Sequence, residues 1–389
     1  MNEKKDPAGP ADTRVMRIVH NALRRDLART RDVLTTPPYP HPAQRRALAA
    51  HLEWMVDFLH HHHEGEDTGL YPVVRARNPE AVPLLDAMDA EHHAIGPGMD
   101  GLVAAARAYA ADAGAREQVL GAIAALEETL LPHLRREEDE MMPVVSRSIT
   151  QADWDRWDDE VNVGPKPKSQ LAREGLWIME DQTAEDRRAI ELLVPPVPRW
   201  LILHVLSRGY RREAFQRWWS PQYSPWSVPV TGTTSVETEA APEEVWAVLA
   251  DVTRVGEWSH ECRGAEWLGG ATAGGVGVRF RGRNQVRFNR WSRACVIDVW
   301  EPAREVVWHS EGPAGLDSTQ WRVTLEPHGS GTRITQTYTV LAMKAWFSRF
   351  VWLTMPEHRD RASALRRDLE RLGDLALAGR QVRGPARQR

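Results

Sequence analysis

Histidine and glutamate recur in the first 150 residues at spacings that suit a metal site. His62-x3-Glu66-Asp67-x2-Leu70-Tyr71-Pro72-Val73-Val74 is matched by His133-x3-Glu137-Glu138-x2-Met141-Met142-Pro143-Val144-Val145. One helix earlier in each half stands another histidine, His20 ahead of His62 and His92 ahead of His133. The region reads as two helical hairpins of one design. On a helix, His-x3-Glu sets both side chains on one face, a turn apart.

Helical phase gives these side chains a direction. His62 shares a stripe with Leu48, Leu52, Met55, Phe58 and Leu59, and His133 with Val119, Ile123, Leu126 and Leu130. His92 shares Leu85, Met88, Ile95, Met99 and Leu102, and His20 shares Met16, Leu23, Leu27 and Leu34. All four face a bundle core. His60 steps onto Glu53, Val56 and Asp57, and His93 onto Asp86, Asp89 and Asp100, so those two belong to wet faces, with His61 beside His60.

Burying four imidazoles and two carboxylates in apolar surroundings costs several kcal/mol unless a cation compensates. A mixed imidazole and carboxylate set suits iron, and bundle cores are where di-iron sites are built. A lone inward histidine reads more simply as a satisfied core residue. Four of them, joined to two matched glutamates in a repeat, favour metal. The ligand set expected from phase and repeat is His20, His62, Glu66, His92, His133 and Glu137.

Four helical segments must position these groups, over about 12–34, 42–77, 80–112 with a break at Gly96-Pro97-Gly98, and 115–147. Short connections make them an antiparallel four-helix bundle over 12–148. Residues 161–232 read as a helical linker: Pro, Lys and Ser over 161–170, then helices broken at Pro195-Pro196-Val197-Pro198. After Thr233 the apolar period becomes two, with strands expected at 233–239, 276–281, 293–300, 304–309, 319–325 and 332–340. A short helix follows Pro242 and a long one covers about 356–376, which makes 233–376 an α+β domain. The Arg-rich end, 379–389, is expected to be a disordered basic tail.

Residues 12–148 resemble the hemerythrin-like (HHE cation-binding) domains. The carriers are His20, His62-His63-x2-Glu66-Asp67-x2-Leu70-Tyr71-Pro72, Glu91-His92 and His133-x3-Glu137-Glu138. The resemblance implies a non-haem di-iron centre, two Fe bridged by carboxylates, that meets O2 or a related small molecule. The chain departs from oxygen carriers in one place: four residues after His92, where they have a second histidine, stands Gly96, followed by Pro97. His63, His93 or a water are the candidates to fill that gap. With fewer fixed histidines, sensing, redox or iron handling becomes as open as simple O2 carriage.

Residues 233–376 resemble the START-like superfamily (SRPBCC), including polyketide cyclase/dehydrase-type proteins. The resemblance rests on Ala241-Pro242-x2-Val245-Trp246, Glu257-Trp258-Ser259, Val276-Gly277-x2-Phe280-x-Gly282-x-Asn284, Trp291, Trp321, Gly331-Thr332 and the last helix. It implies a helix-grip fold, a curved antiparallel sheet around the long helix, enclosing a cavity for an apolar ligand. No nucleophile–base spacing commits this half to catalysis. His260, Glu261 and His309 are polar candidates for a cavity mouth, with ordinary surface as the simpler reading, and the tryptophans are expected in core and rim.

Composition sets the outer limits. Of 15 histidines ten precede residue 150, whereas of 17 tryptophans only Trp54 does, so the halves differ in kind. A net charge of −4 argues against a partner held by nucleic-acid phosphates. The start MNEKKDPAGP does not read as a signal peptide, and two cysteines, Cys262 and Cys295, make the cytoplasm the default. The basic, Trp-bearing segment 199–219 suits either docking against its own chain or lying on an anionic membrane. Three function classes follow: an O2-related sensing, redox or iron-handling centre coupled to apolar-ligand binding, a di-iron oxidoreductase acting on a hydrophobic substrate, and a lipid or polyketide binder with a merely stabilising metal.

Overall fold

Apolar residues at helical spacing build a bundle from α1 (Arg14–Thr35), α2 (Pro42–Gly65), α3 (Tyr71–Arg77), α4 (Val82–Ala111), α5 (Arg116–Arg136) and α6 (Met142–Ser148). In this computed structural model, which describes residues 6–36 and 39–382, the chain divides into two compact units, Met1–Trp219 and Ser220–Arg389. The core of the first holds the expected stripes: Leu23 and Leu27 of α1, Leu48 and Leu59 of α2, Leu85 and Ile95 of α4, and Ile123 and Leu126 of α5 are buried.

The internal repeat reaches the backbone. A π-helical turn, Glu66–Leu70, joins α2 to α3, and its counterpart, Glu137–Met141, joins α5 to α6. Pro72 and Pro143 stand second in the helices that follow, and neither has an N–H to continue an α ladder. The wider turn absorbs that loss and re-aims the residues before it, a use of π-bulges common at functional sites.

One expectation fails here. α4 runs unbroken through Gly96-Pro97-Gly98. The bond Pro97 cannot donate would reach His93, and both residues are exposed, so water can satisfy the freed carbonyl. Gly98 has a packing reason, since a Cβ there would lie 3.1 Å from the Leu126 Cα of α5.

Five more helices complete this unit: α7 (Gln151–Trp157), α8 (Lys168–Met179), α9 (Ala184–Leu193), α10 (Pro196–Leu201) and α11 (Ser207–Trp218). Helix α7 escaped the sequence reading, although Thr150 and Asp153 form a reciprocal capping box at its start. The expected break falls at Val194-Pro195, between α9 and α10, and Pro196 then opens α10, as a first-position proline does. The segment 199–219 divides. Tyr210, Phe215 and Trp218 are buried within the unit, and Gln44 Nε2 donates to the Arg217 carbonyl at 3.2 Å. Trp200, Leu201, Val205 and Leu206 remain exposed. No helix among the described residues is long and apolar enough to cross a membrane.

The second unit is a seven-stranded antiparallel sheet in the order β1-β7-β6-β5-β4-β3-β2. Its strands are β1 (Thr231–Thr238), β2 (Cys262–Trp267), β3 (Arg279–Val286), β4 (Asn289–Glu301), β5 (Glu305–Glu311), β6 (Asp317–His328) and β7 (Gly331–Met343). Helices α12 (Pro242–Leu249) and α13 (Val255–Trp258) follow β1, and α14 (Ala345–Thr354) and α15 (Ala362–Val382) follow β7. Leu365, Leu369, Leu372 and Ala376 of α15 are buried, so the sheet grips this helix as the helix-grip architecture requires. Strand β2 was missed because it is a short edge strand holding Gly264, with only Ala265 buried. Helix α15 starts later than expected, at Ala362, and reaches Val382, while 383–389 of the expected tail lie outside the described residues.

Candidate metal centre and apolar cavity

The four long helices of the bundle, α1, α2, α4 and α5, deliver histidines to one interior point. His20 of α1, His62 and His63 of α2, His92 of α4 and His133 of α5 are all buried, with Glu66 and Glu137 at 0% exposure. The potential ligand atoms fall into two groups, His20–His62–Glu137 and His63–His92–His133, each with all its atoms within 4.8 Å of one another. Glu66 spans the groups, with Oε1 3.5 Å from His62 Nε2 and Oε2 3.6 Å from His92 Nε2. Glu137 spans them as well, since its Oε2 lies 3.3 Å from His20 Nε2 and 3.6 Å from His133 Nε2.

A set of carboxylates that spacing did not single out holds the rings in place. Nδ1–H of His20 donates to Glu138 at 2.8 Å, that of His92 to Asp67 at 2.7 Å, and that of His133 to Glu91 at 3.0 Å. Each bond fixes the tautomer that turns the Nε2 lone pair inward. Arg24 binds Glu138 and Arg136 binds Glu91, both at 2.7 Å. The signal was present: Asp67 and Glu138 directly follow the two inward glutamates in the repeat.

His63 is the member that phase left undecided. Its ring lies parallel to that of His92 at 4.1 Å. His93 is exposed, and its Nδ1–H donates to the Asp89 carbonyl at 2.7 Å. His60 and His61 face solvent, as expected. The candidate site therefore gathers five imidazoles, one more than phase assigned.

The donor set has the chemistry of a cation site. Among the described residues, no group hydrogen-bonds Nε2 of any of the five histidines or any carboxylate oxygen of Glu66 and Glu137. So many buried orphans at one point would be very costly without a bound partner. Burial, then the charge of Glu137, raises the Glu66 carboxyl well above its usual range. Burial pushes Glu137 the same way, but His20, His133 and His62 outweigh it and hold its carboxyl well below. Burial, reinforced by His20, keeps His62 neutral down to about 3. His63 is held well below its ordinary value by burial and by His92. His62 and His63 as neutral imidazoles and Glu137 as an ionised carboxylate are thus held in the forms that ligate, whereas Glu66 would give up its proton on binding a cation.

The second unit encloses a cavity of about 410 Å³, lined by Trp258, Trp291, Trp300, Trp308, Trp321 and Phe280 among others. His260 and Glu261 both line this cavity, so the cavity-mouth alternative holds for them and the ordinary-surface reading does not. Nδ1–H of His260 donates to Asp368 of α15 at 2.6 Å. Arg361 donates to His358 Nδ1 at 2.7 Å, and His358 Nε2–H donates to Glu261 at 3.2 Å. Burial alone would raise the Glu261 carboxyl; Arg361 and His358 reverse this and hold it at about 2. Sequence could not pair these residues, since 97 positions separate Glu261 from His358. His309 instead pairs with Asp298 at 2.9 Å on the sheet.

Comparison with known proteins agrees with both architectures. Residues 11–145 match the hemerythrin HHE cation binding domain, and residues 229–376 match the polyketide cyclase / dehydrase and lipid transport family. The two matches fall one in each compact unit of the chain. The chain is similar to the solved structures of the Zhui aromatase/cyclase from Streptomyces sp. R1128 (18% identity, 40% of this chain and 96% of that one, TM-score 0.31). It is likewise similar to MLL2253 from Mesorhizobium loti (16%, 38% and 97%, 0.29) and TTHA0849 from Thermus thermophilus (18%, 38% and 98%, 0.31). No curated protein matches the chain.

Proposed function

We propose that the first unit is a non-haem di-iron centre for O2 or a related small molecule, serving sensing, redox or iron handling and coupled to apolar-ligand binding in the second. The observation that carries this reading is the convergence of five unpartnered imidazole nitrogens with two unpartnered carboxylates. His63, His92 and His133 would hold one iron and His20 and His62 the other, with Glu66 and Glu137 between them. Iron so held supplies one-electron chemistry toward O2. The chain's own residues do the rest: Glu138, Asp67 and Glu91 keep the ring protons outward, and the Leu and Met stripes exclude water. The two-histidine side carries fewer protein ligands and is where an exogenous molecule would enter. The cavity, with its indole walls, suits a ring-bearing or chain-bearing apolar ligand.

Iron analysis of purified protein, beside a His62→Ala/His133→Ala variant, tests the centre. The reading expects about two irons per chain in the wild type, absent from the variant, and a visible absorption that dithionite bleaches and air restores. Equal, negligible iron in both would overturn it. Oxygen consumption that requires an apolar ligand would favour the oxidoreductase reading instead. Iron loss that lowers only the melting temperature would leave a stabilising metal.

A further inference from the structure

The wall of the apolar cavity continues onto the surface of the second unit along a single helix. Phe347, Phe350 and Val351 of α14 line the cavity. On the same ten-residue helix Trp346 is 66% exposed, Leu353 58% and Phe350 46%. Beside it stands the tip of the β3–β4 hairpin, where Phe288 is 79% exposed. The hairpin is tied to α14 by Asn289, whose Nδ2 donates to the Thr354 carbonyl at 3.5 Å, and to the next turn by Arg287, whose Nε donates to Glu357 at 2.7 Å.

Cations dominate the charge around this apolar tip. Residues 344–354 contain Lys344 and Arg349 and no carboxylate. Arg290 adds a third cation on the hairpin, and Arg359 stacks over Trp352 at 4.0 Å. The nearby Glu357 is already neutralised by Arg287. Large aromatic and aliphatic side chains displayed together in water call for a partner. Apolar side chains that enter a headgroup layer, ringed by cations that meet lipid phosphates, form the pattern of an interfacial helix.

We infer that α14 and the Phe288 hairpin tip are a docking face for an anionic lipid bilayer, through which an apolar ligand passes between membrane and cavity. Trp346, Leu353 and Phe288 enter the interface, Lys344, Arg349 and Arg290 meet the headgroups, and Phe347 and Phe350 lead inward. This rests on the cavity being an apolar-ligand site, and the two claims are tested separately.

Full-length protein is sedimented with phosphatidylcholine vesicles with and without phosphatidylglycerol. Ligand binding is read in vesicle-free solution by the fluorescence of 1-anilinonaphthalene-8-sulfonate. The face predicts binding to the anionic vesicles, at least about tenfold weaker for Trp346→Ser/Leu353→Ser, neither of which lines the cavity, with dye binding unchanged. Lys344→Gln/Arg349→Gln should erase the preference for anionic lipid. Equal sedimentation of wild type and the Trp346→Ser/Leu353→Ser variant overturns the inference. So does binding lost instead on Trp200→Ser/Leu201→Ser, or a self-association abolished by the α14 changes without vesicle binding. Vesicle binding without any dye binding would retain the docking face and reject the cavity reading.

Discussion

His63 stacks on His92 with ring centroids 4.1 Å apart and planes 8° from parallel. The two side chains come from different helices, α2 and α4, yet both present a ring nitrogen to His133 within one cluster. A histidine on α4 itself, at position 96, would do the same from a single helix. In this chain position 96 is Gly96, and the third imidazole of that cluster comes from the neighbouring helix.

His63→Ala should therefore remove one ligand and leave the fold in place. Iron retained through gel filtration is expected to drop, and the absorption of the remaining metal to change. Gly96→His should restore part of the iron in that background, because a Cβ at Gly96 meets nothing within 4 Å. Iron content indifferent to both changes would remove His63 from the ligand set.

The metal-free protein should carry a pH signature in Glu66. Burial and the Glu137 charge raise its folded-state pKa above the ordinary 4.5. A raised carboxyl means that the folded state binds the proton more tightly, so the contribution is full below 4.5 and lost as pH rises toward the folded value. Glu66→Gln mimics the protonated form. Its urea midpoint without iron should be flat over the range in which the wild-type midpoint falls, while iron binding is abolished.

The repeat made much of this site legible. His20, His62, His92, His133, Glu66 and Glu137 could be aimed inward because a straight helix has one phase and each stripe was unambiguous. His63 could not, since it stands one residue from His62 and its inward placement depends on how α2 sits between α1 and α4. Glu91 belongs with His133 only through the packing of α4 on α5, a tertiary fact. The break expected at Pro97 misjudged a helix whose freed carbonyl faces water. In the second unit, alternation revealed six of the seven strands, but the His260–Asp368 and Glu261–His358 pairs arise from the sheet curling over α15, which no local pattern encodes.

His41 should make stability fall in mild acid. Its Nδ1 accepts from the Gln44 N–H at 3.4 Å and so caps α2. Burial, with Arg45 and Arg46, lowers its pKa from 6.5 to about 4. The unfolded chain binds the proton first, so stability is full above 6.5 and is lost as pH falls toward 4. Protonation would turn the acceptor into a donor at the positive end of a helix. His41→Asn keeps a neutral cap and should flatten this part of the curve for metal-free protein; an unchanged slope would dismiss His41 as its source.

Trp177 ties helix α8, outside the matched hemerythrin region, to the bundle interior. It is 0% exposed, and its Nε1–H donates to Asp26 of α1 at 2.8 Å. Its ring meets Phe58 edge-on at 4.9 Å, and Phe58 lies nearly parallel to the His62 ring at 6.3 Å. Trp177→Ala opens a large cavity and should cost about 3–5 kcal/mol. Trp177→Phe keeps most of the volume and loses only the bond to Asp26, which retains His51 at 2.6 Å and Arg25 at 2.8 Å, so about 1–2 kcal/mol is expected. If α8 also supports His62 through Phe58, iron should leave the Trp177→Ala protein faster than the Trp177→Phe protein when both are challenged with chelator well below their melting temperatures. Equal release rates would restrict Trp177 to stability, because lost packing would then be felt by the bundle and not by the ligand.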